Sequence, residues 1–504
     1  MPPAARTSIV PLWVLTGLIT VLSGLTYFLH YQFPARVFWD ENYHIASAQK
    51  YINGVFFMEQ HPPLGKLLIA AGEKLLHPNA KTDQYIDTDY AQDFPEGFSF
   101  SGYRLFPALF GWATGIVIFF IFILLLGNRL QAALLSLLYI FDNALIVHSR
   151  GAMLEPPFLF FSALTILAFL IVLRALHEPR SSRNLLWGSA LFGMSLGLIA
   201  VTKLLGLVLI LFVPAILWKL RKNFSKMGRF LGIAALSFLI PYVAVWQMHF
   251  TLGKTIRPLL PDQGYYQASP KAKNILAQGK QQSPLAFPVM LRDALNFVGH
   301  YNNGVPRLDL CKADENGSPF FLWPFGARTI DYRWETLYGS EYRYLYLQSN
   351  PVGWAVGLAG VVLSATLLLA SVFFPREVKL PDRFLLSTML GLYIAYMVAI
   401  ARIDRVLYLY HYFLPLIFSF LIFAIAFKQI RFLGPLVLTE RRKTLMLGVL
   451  GVFLFLSFQF YRPFTYYEPL SKEAFQKRSL LELWELRCVG CDRNSPLVVP
   501  DGEE

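Results

Sequence analysis

Eleven apolar runs constrain this chain before any motif is read. They lie near residues 9–29, 103–126, 130–147, 154–176, 185–202, 204–218, 230–250, 351–374, 384–400, 411–427 and 444–461. Most approach the roughly 17–25 residues that a bilayer asks of a helix. The run at 204–218 is short, and Asp142-Asn143 interrupts the one at 130–147. With 55% of its 504 residues hydrophobic and 15% charged, the chain is too apolar for a water-facing globule. The expectation is an all-α polytopic membrane protein with about eleven transmembrane helices. The run at 9–29 could also be read as a signal peptide, but no small-x-small cleavage site follows it, which favours an uncleaved first span.

The runs divide the chain into a first span (1–30), a polar and aromatic loop (31–102), spans over 103–250, a long loop (251–350), spans over 351–461 and a tail (462–504). Within the first loop Leu64, Leu67, Leu68, Ala71 and Leu75 recur at helical spacing, as in an amphipathic helix lying on a membrane surface. The second loop is too long for a plain connector and reads as a functional cover. The net charge of +13 is explained by loop bias, with no need of nucleic acid as a partner. If the N-terminus is cytoplasmic, one set of short loops carries Arg129, then Arg174, Arg180 and Arg183, then Lys219 to Arg229, then Arg376, Lys379 and Arg383, then Lys428 to Lys443. The opposite short loops carry only Arg150, Lys203, Arg402 and Arg405. By the positive-inside rule both long loops and the tail lie outside the cytoplasm, which predicts a protein of the cytoplasmic membrane with its active site on the extracytoplasmic side.

That outer side collects the reactive groups. Phe38-Trp39-Asp40-Glu41-Asn42-Tyr43-His44 puts two adjacent carboxylates just beyond the first span, and Glu59-Gln60-His61-Pro62-Pro63-Leu64-Gly65-Lys66 follows. Carboxylates at a membrane exit are costly unless they serve a function. Arg104, Asp142, His148, Arg150, Glu155, Lys203, Arg405, His411 and Tyr412 fall at outer turns. Taken singly, a cation at a span end is most often snorkelling to headgroups. Such turns together suit a substrate with a phosphate at headgroup level and a neutral reactive part above it, such as a lipid-linked phospho-sugar. Fixed Arg and Lys donors would stabilise the departing phosphate, and a carboxylate would take a proton from an attacking hydroxyl. The residues alone leave both Asp40 and Glu41 open as that base. No glycine-rich nucleotide loop is present. Asp40, Glu41, His44 and His61 match no strong metal-ligand spacing, so no metal and no cofactor are expected. Cys311, Cys488 and Cys491 are too few for a disulfide framework or a zinc site, although Cys488 and Cys491 could pair outside the cytoplasm.

The motifs resemble those of the protein O-mannosyltransferases. Asp40-Glu41, Lys50-Tyr51-Ile52-Asn53-Gly54-x-Phe56-Phe57-Met58 and His61-Pro62-Pro63-Leu64-x-Lys66-Leu67-Leu68 are similar to that family's first luminal loop. Arg104-x-Phe106-Pro107-Ala108, Asp142-Asn143-Ala144-Leu145 with Ser149-Arg150, Lys203, Trp323-Pro324 and Arg405-x-Leu407-x-Leu409-x-His411-Tyr412-x-Leu414-Pro415 follow in the family's order. The resemblance implies a GT-C glycosyltransferase with two long extracytoplasmic loops. It further implies inverting transfer of mannose from a polyprenyl- or dolichyl-phosphate carrier to Ser/Thr hydroxyls of exported proteins. On that reading Asp40 is the base, Glu41 supports it or orients the acceptor, and Arg104, Lys203 and Arg405 line the phosphate site. His44, His61, Lys66, Asp142, Arg150, Glu155, Trp323, His411 and Tyr412 bind substrate or support the site. The long loop has no room for the β-trefoil domain of eukaryotic members, Asn316-Gly317-Ser318-Pro319 replaces an expected histidine-proline-tyrosine segment, and Glu155 stands where aspartate is usual. A transferase acting on lipid A or another glycan is the alternative enzyme. A transporter would call for inverted repeats and mid-span charges that the sequence lacks.

Overall fold

The computed structural model describes residues 10–86, 90–91, 94–177, 182–256, 263–312, 315–337 and 341–489. Its first ten α-helices are α1 (Leu12–Phe28), α2 (Glu41–Asn53), α3 (Leu64–Leu76), α4 (Ser101–Leu126), α5 (Arg129–Ile140), α6 (Asn143–Ser149), α7 (Glu155–His177), α8 (Ser182–Ala200), α9 (Phe212–Leu220) and α10 (Phe224–Leu252). Four more apolar helices follow at Pro351–Phe373, Arg383–Ala401, Phe413–Gln429 and Glu440–Tyr466. All eleven apolar runs are therefore helical. Among the described residues seven helices are long and apolar enough to cross a membrane, or eight if α5 and α6, bent by 63°, form one span. The chain is an integral membrane protein.

The α5–α6 bend has a local cause. Asp142 caps α6 by accepting from the Leu145 amide at 2.9 Å, and its other oxygen accepts from the Trp354 indole at 2.7 Å. A capped second helix cannot continue the first, so α6 turns aside and delivers His148 and Arg150 to one end of the bundle. At the next turn Lys203 is extended (φ −149°, ψ 124°) and precedes a 3-10 helix, Leu204–Leu211. The Lys203 side chain reaches back to Glu155. A Cβ at Gly193 or Gly197 would strike the backbone of Ala234 or Phe238, so α8 and α10 cross at backbone contact.

The amphipathic helix predicted in the first loop is α3. Its Gly72 and Glu73 pack on Gly102 of α4, while Ala71 and Leu75 face outward. The long loop departs from an all-α reading. Besides the helices Gln263–Gln267, Pro270–Ala277 and Phe287–Gly304 it holds an antiparallel pair, Asp331–Leu337 with Glu341–Tyr346, which the tail strand Pro469–Leu470 extends. Alternation in Glu341-Tyr-Arg-Tyr-Leu-Tyr346 stacks Tyr342, Tyr344 and Tyr346 on one face against Phe464 and Phe475. The pair lies over the first loop, with Tyr332 stacked on Phe38 and Trp39 at 5.7 and 5.4 Å. Both long loops and the tail thus share one end of the bundle. Cys311 is a free, exposed thiol and Cys488 is disulfide-bonded; Cys491 lies outside the described residues.

Candidate active site

The two adjacent carboxylates occupy opposite environments. Glu41 is fully buried and bound bidentately by Arg104, Nε to Oε1 and Nη2 to Oε2, both at 2.7 Å. Its oxygens also accept from the amides of Ala152 and Phe38. Arg104 spends its other three N–H groups on the carbonyls of Gln32, Pro34 and Arg36, and sits between the rings of Phe38 and Phe100. All five guanidinium donors are therefore used within the protein. Arg104 has no donor left for a phosphate, and Glu41 has no free face from which to act on a substrate. Together they form a clamp that ties α2, α4 and the loop over residues 32–36 together.

Asp40, one residue earlier, is only partly buried. Among the described residues its carboxylate has one side-chain hydrogen bond, from the Tyr410 hydroxyl to Oδ2 at 3.2 Å. Desolvation, then the neighbouring Glu155 charge, pushes its pKa up to about 6. The preceding residue is strained: Trp39 has φ 52°, in the left-handed region that a bulky side chain avoids. Its indole N–H is buried without an acceptor. Behind Asp40 runs a chain of hydrogen bonds. The Tyr332 hydroxyl meets His148 Nδ1 at 2.5 Å, His148 Nε2 meets Glu155 Oε2 at 2.7 Å, and Lys203 Nζ donates to Glu155 Oε1. Tyr410 stacks on His148 at 4.9 Å, and Lys203 Nζ lies 5.4 Å from the Tyr410 ring centre.

Lys203 also closes one end of a cavity of about 590 Å³. That end is lined by His61, Lys203, Arg405 and His411; the remainder is lined by Leu204, Leu205, Val208, Leu211, Ala399 and Ile403 among others. The cavity is therefore cationic at one end and apolar along its length. Arg405 is part-buried and has no carboxylate partner among the described residues. Burial, with Lys203 and Lys66 adding to it, holds the pKa of His61 well below the ordinary value. Burial also lowers His44 to about 3, and its Nδ1 donates to the Ala152 carbonyl at 2.7 Å. Both imidazoles are thus neutral, able to donate or accept a hydrogen bond without adding charge.

The other expected residues hold the frame. Lys66 pairs with Glu59 at 2.5 Å in a buried ion pair. Asp142 is the α6 cap. Arg150 donates to the carbonyls of Thr465 and His30 and lies over the Tyr466 ring. Trp323 donates to Ser318 at 2.7 Å and stacks on His411, so the substituted segment is itself a packing partner. The Tyr412 hydroxyl meets that of Tyr393 at 3.2 Å. Sequence reasoning gave no role to Tyr410, Tyr332 or Trp39. Tyr410 alone carried a signal, as a polar aromatic between two motif positions. Among the described residues no three His, Cys, Asp or Glu side chains could hold a metal ion.

Residues 17–253 match the family model for dolichyl-phosphate-mannose-protein mannosyltransferase, and residues 299–484 match that for the C-terminal four TMM region of protein-O-mannosyltransferase. Dolichyl-phosphate-mannose–protein mannosyltransferase 6 of Saccharomyces cerevisiae is 27% identical over 248 residues, 47% of this chain and 32% of the relative. Protein O-mannosyltransferase 1 of Drosophila pseudoobscura is 30% identical over 243 residues, 46% of this chain and 26% of the relative. The chain thus spans about a third or less of the curated relatives it matches. The S. cerevisiae protein O-mannosyltransferase Pmt1-Pmt2 complex bound to the sugar donor shares the fold, with a TM-score of 0.78 at 16% identity over 96% of this chain and 94% of that one. With two models of one family covering most of its length in order, and that fold throughout, the chain belongs to the protein O-mannosyltransferase family of GT-C proteins.

Proposed function

We propose that this protein transfers mannose, with inversion, from a polyprenyl- or dolichyl-phosphate carrier to Ser or Thr hydroxyls of polypeptides on the extracytoplasmic face of the cytoplasmic membrane. The observation that carries this reading is the cavity lined by His61, Lys203, Arg405 and His411 at one end and by aliphatic side chains along the rest. It is amphiphilic in the way that a prenyl phosphate is. The phosphate rests on Lys203 and Arg405, with neutral His61 donating a further hydrogen bond, and the prenyl chain lies along Leu204 to Leu211. Asp40 takes the proton of the acceptor hydroxyl as its oxygen forms a bond to the anomeric carbon. The bond from that carbon to the phosphate oxygen breaks, and the carrier leaves as polyprenyl phosphate, its new charge balanced by the two cations. A base with a pKa of about 6 suits this step, because it is ionised at neutral pH and more basic than an ordinary carboxylate. The Trp39 N–H, buried without an acceptor, donates a hydrogen bond to a sugar oxygen.

The test is transfer of radiolabelled mannose from polyprenyl-phosphate mannose to a Ser/Thr-rich peptide by purified protein. Native protein should transfer, and Lys203→Ala or Arg405→Ala should weaken donor binding about tenfold or more, since each removes a charge-assisted contact. Native protein that leaves peptide unlabelled while labelling a lipid or glycan would replace the acceptor.

A further inference from the structure

Residues 267–297, which lie between the two family-matched stretches, line a second cavity of about 1040 Å³ together with Met58 and His300. One wall is the helix Phe287–Gly304, which contributes Val289, Arg292, Asn296 and His300, positions that share one face at helical spacing. Lys271 and Gln267 face them, and Met58 is also part of the lining. The same helix turns Val298 and Asn302 into the cavity of Lys203 and Arg405. It is the partition between the two. Met58 belongs to the segment that continues through Glu59 and Gln60 to His61, so the two cavities meet along a second element as well.

The charge of this pocket is one-sided. Lys271 and Arg292 are exposed and, among the described residues, have no carboxylate partner, and the exposed His300 lies in the same lining. The one lining carboxylate, Asp293, is buried and already accepts from the Ser269 amide at 2.7 Å. Between the cations stand amides (Gln267, Asn296) and apolar surface (Met58, Val289, Phe297). Amide groups beside apolar surface suit an extended polypeptide, which presents backbone N–H and C=O groups together with side chains. A lipid headgroup would need only the cations. Unpaired cations select the partner by sign.

We propose that this pocket is an acceptor subsite, binding an acidic residue of an extended polypeptide close to the hydroxyl that receives the sugar. The proposal rests on the transfer reading above. Arg292 and Lys271 supply the charge complementarity, and Asn296 and Gln267 hold the peptide backbone. The helix Phe287–Gly304 sets the distance between the acidic side chain and the donor.

The experiment uses full-length protein in nanodiscs and two Ser/Thr peptides of equal length, one carrying Asp and Glu beside the hydroxyls and one carrying Asn and Gln there. Binding is read by fluorescence anisotropy and transfer by label incorporation. Native protein should bind the acidic peptide more tightly, and Lys271→Glu/Arg292→Glu should erase that preference, with roughly a fivefold to tenfold loss for the acidic peptide. KM should rise with kcat unchanged, and the neutral peptide should be unaffected. Equal binding of both peptides, or a preference that survives charge reversal, overturns the subsite even if transfer proceeds. Loss of binding to anionic vesicles in place of peptide also overturns it, in favour of a lipid contact. A charge-reversal effect on peptide binding in a protein that transfers no mannose upholds the subsite and overturns the donor reading. Lys271→Gln/Arg292→Gln, which adds no repulsion, guards against misfolding and should give the same ordering.

Discussion

Asp40 is uncomfortable as a charged group, and that discomfort is measurable. Burial, and then the Glu155 charge, push its carboxyl from the ordinary 3.8 up to about 6. Between those values the folded chain keeps a proton that the unfolded chain has released, so stability falls as pH rises through that window, and the whole penalty is present above it. Asp40→Asn removes the charge and its desolvation. It should abolish transfer, as loss of a general base costs about 10²–10⁴ in rate, and yet raise the thermal midpoint, by a free energy on the order of 2 kcal/mol at neutral pH. An unfolding scan alongside the transfer assay checks both halves; an inactive variant that is also less stable would mean that Asp40 holds structure. The native pH profile should lose activity on the acidic side near pH 6. The Tyr410 hydroxyl donates to Asp40 and so favours the ionised form. Tyr410→Phe should therefore move the acidic limb to higher pH, and a limb that stays in place would separate Tyr410 from the base.

Among the elements, the clamp between α2 and α4 decides how the first loop is read. Asp40 and Glu41 are adjacent in sequence, and nothing in their spacing says that one meets Tyr410 while the other meets Arg104. The difference arises because α2 begins at Glu41, so a helical turn carries its side chain inward against α4. The partner stands 63 residues away, beyond any local pattern. That is why Glu41 and Arg104 were legible as important but not as a pair. Removing one member leaves the other charged, buried and unpaired, at a cost of roughly 3–5 kcal/mol. Glu41→Gln should thus lower the yield of monodisperse protein in size-exclusion chromatography. The fraction that folds should bind polyprenyl phosphate with near-native affinity. A well-folded Arg104→Gln protein with a specific loss of donor affinity would return Arg104 to the phosphate site. The β-pair of the long loop was hidden for a related reason: its third strand comes from the distant tail.

At the scale of the whole molecule, apolar periodicity made the helices legible almost run for run, because a bilayer imposes length and composition on each segment independently. What binds the loops to one another is long-range: Tyr332 on Phe38, Thr329 and Arg328 on the backbone of Trp484 and Leu483. These contacts put the first loop, the long loop and the tail on one side, as the charge asymmetry also requires. Only the identity of that side has to be measured, and the chain carries its own reporter. Cys311 is exposed and free, whereas Cys488 is held in a disulfide. A membrane-impermeant maleimide should label Cys311 in intact cells. Leu436 is 42% exposed in the opposite, arginine-rich turn. In a Cys311→Ser background, Leu436→Cys should react only after permeabilisation. The reverse pattern would turn the molecule over and put Asp40 in the cytoplasm, where an exported polypeptide could not meet it. The orientation of the bundle and the identity of the acceptor therefore stand or fall on the same two thiols.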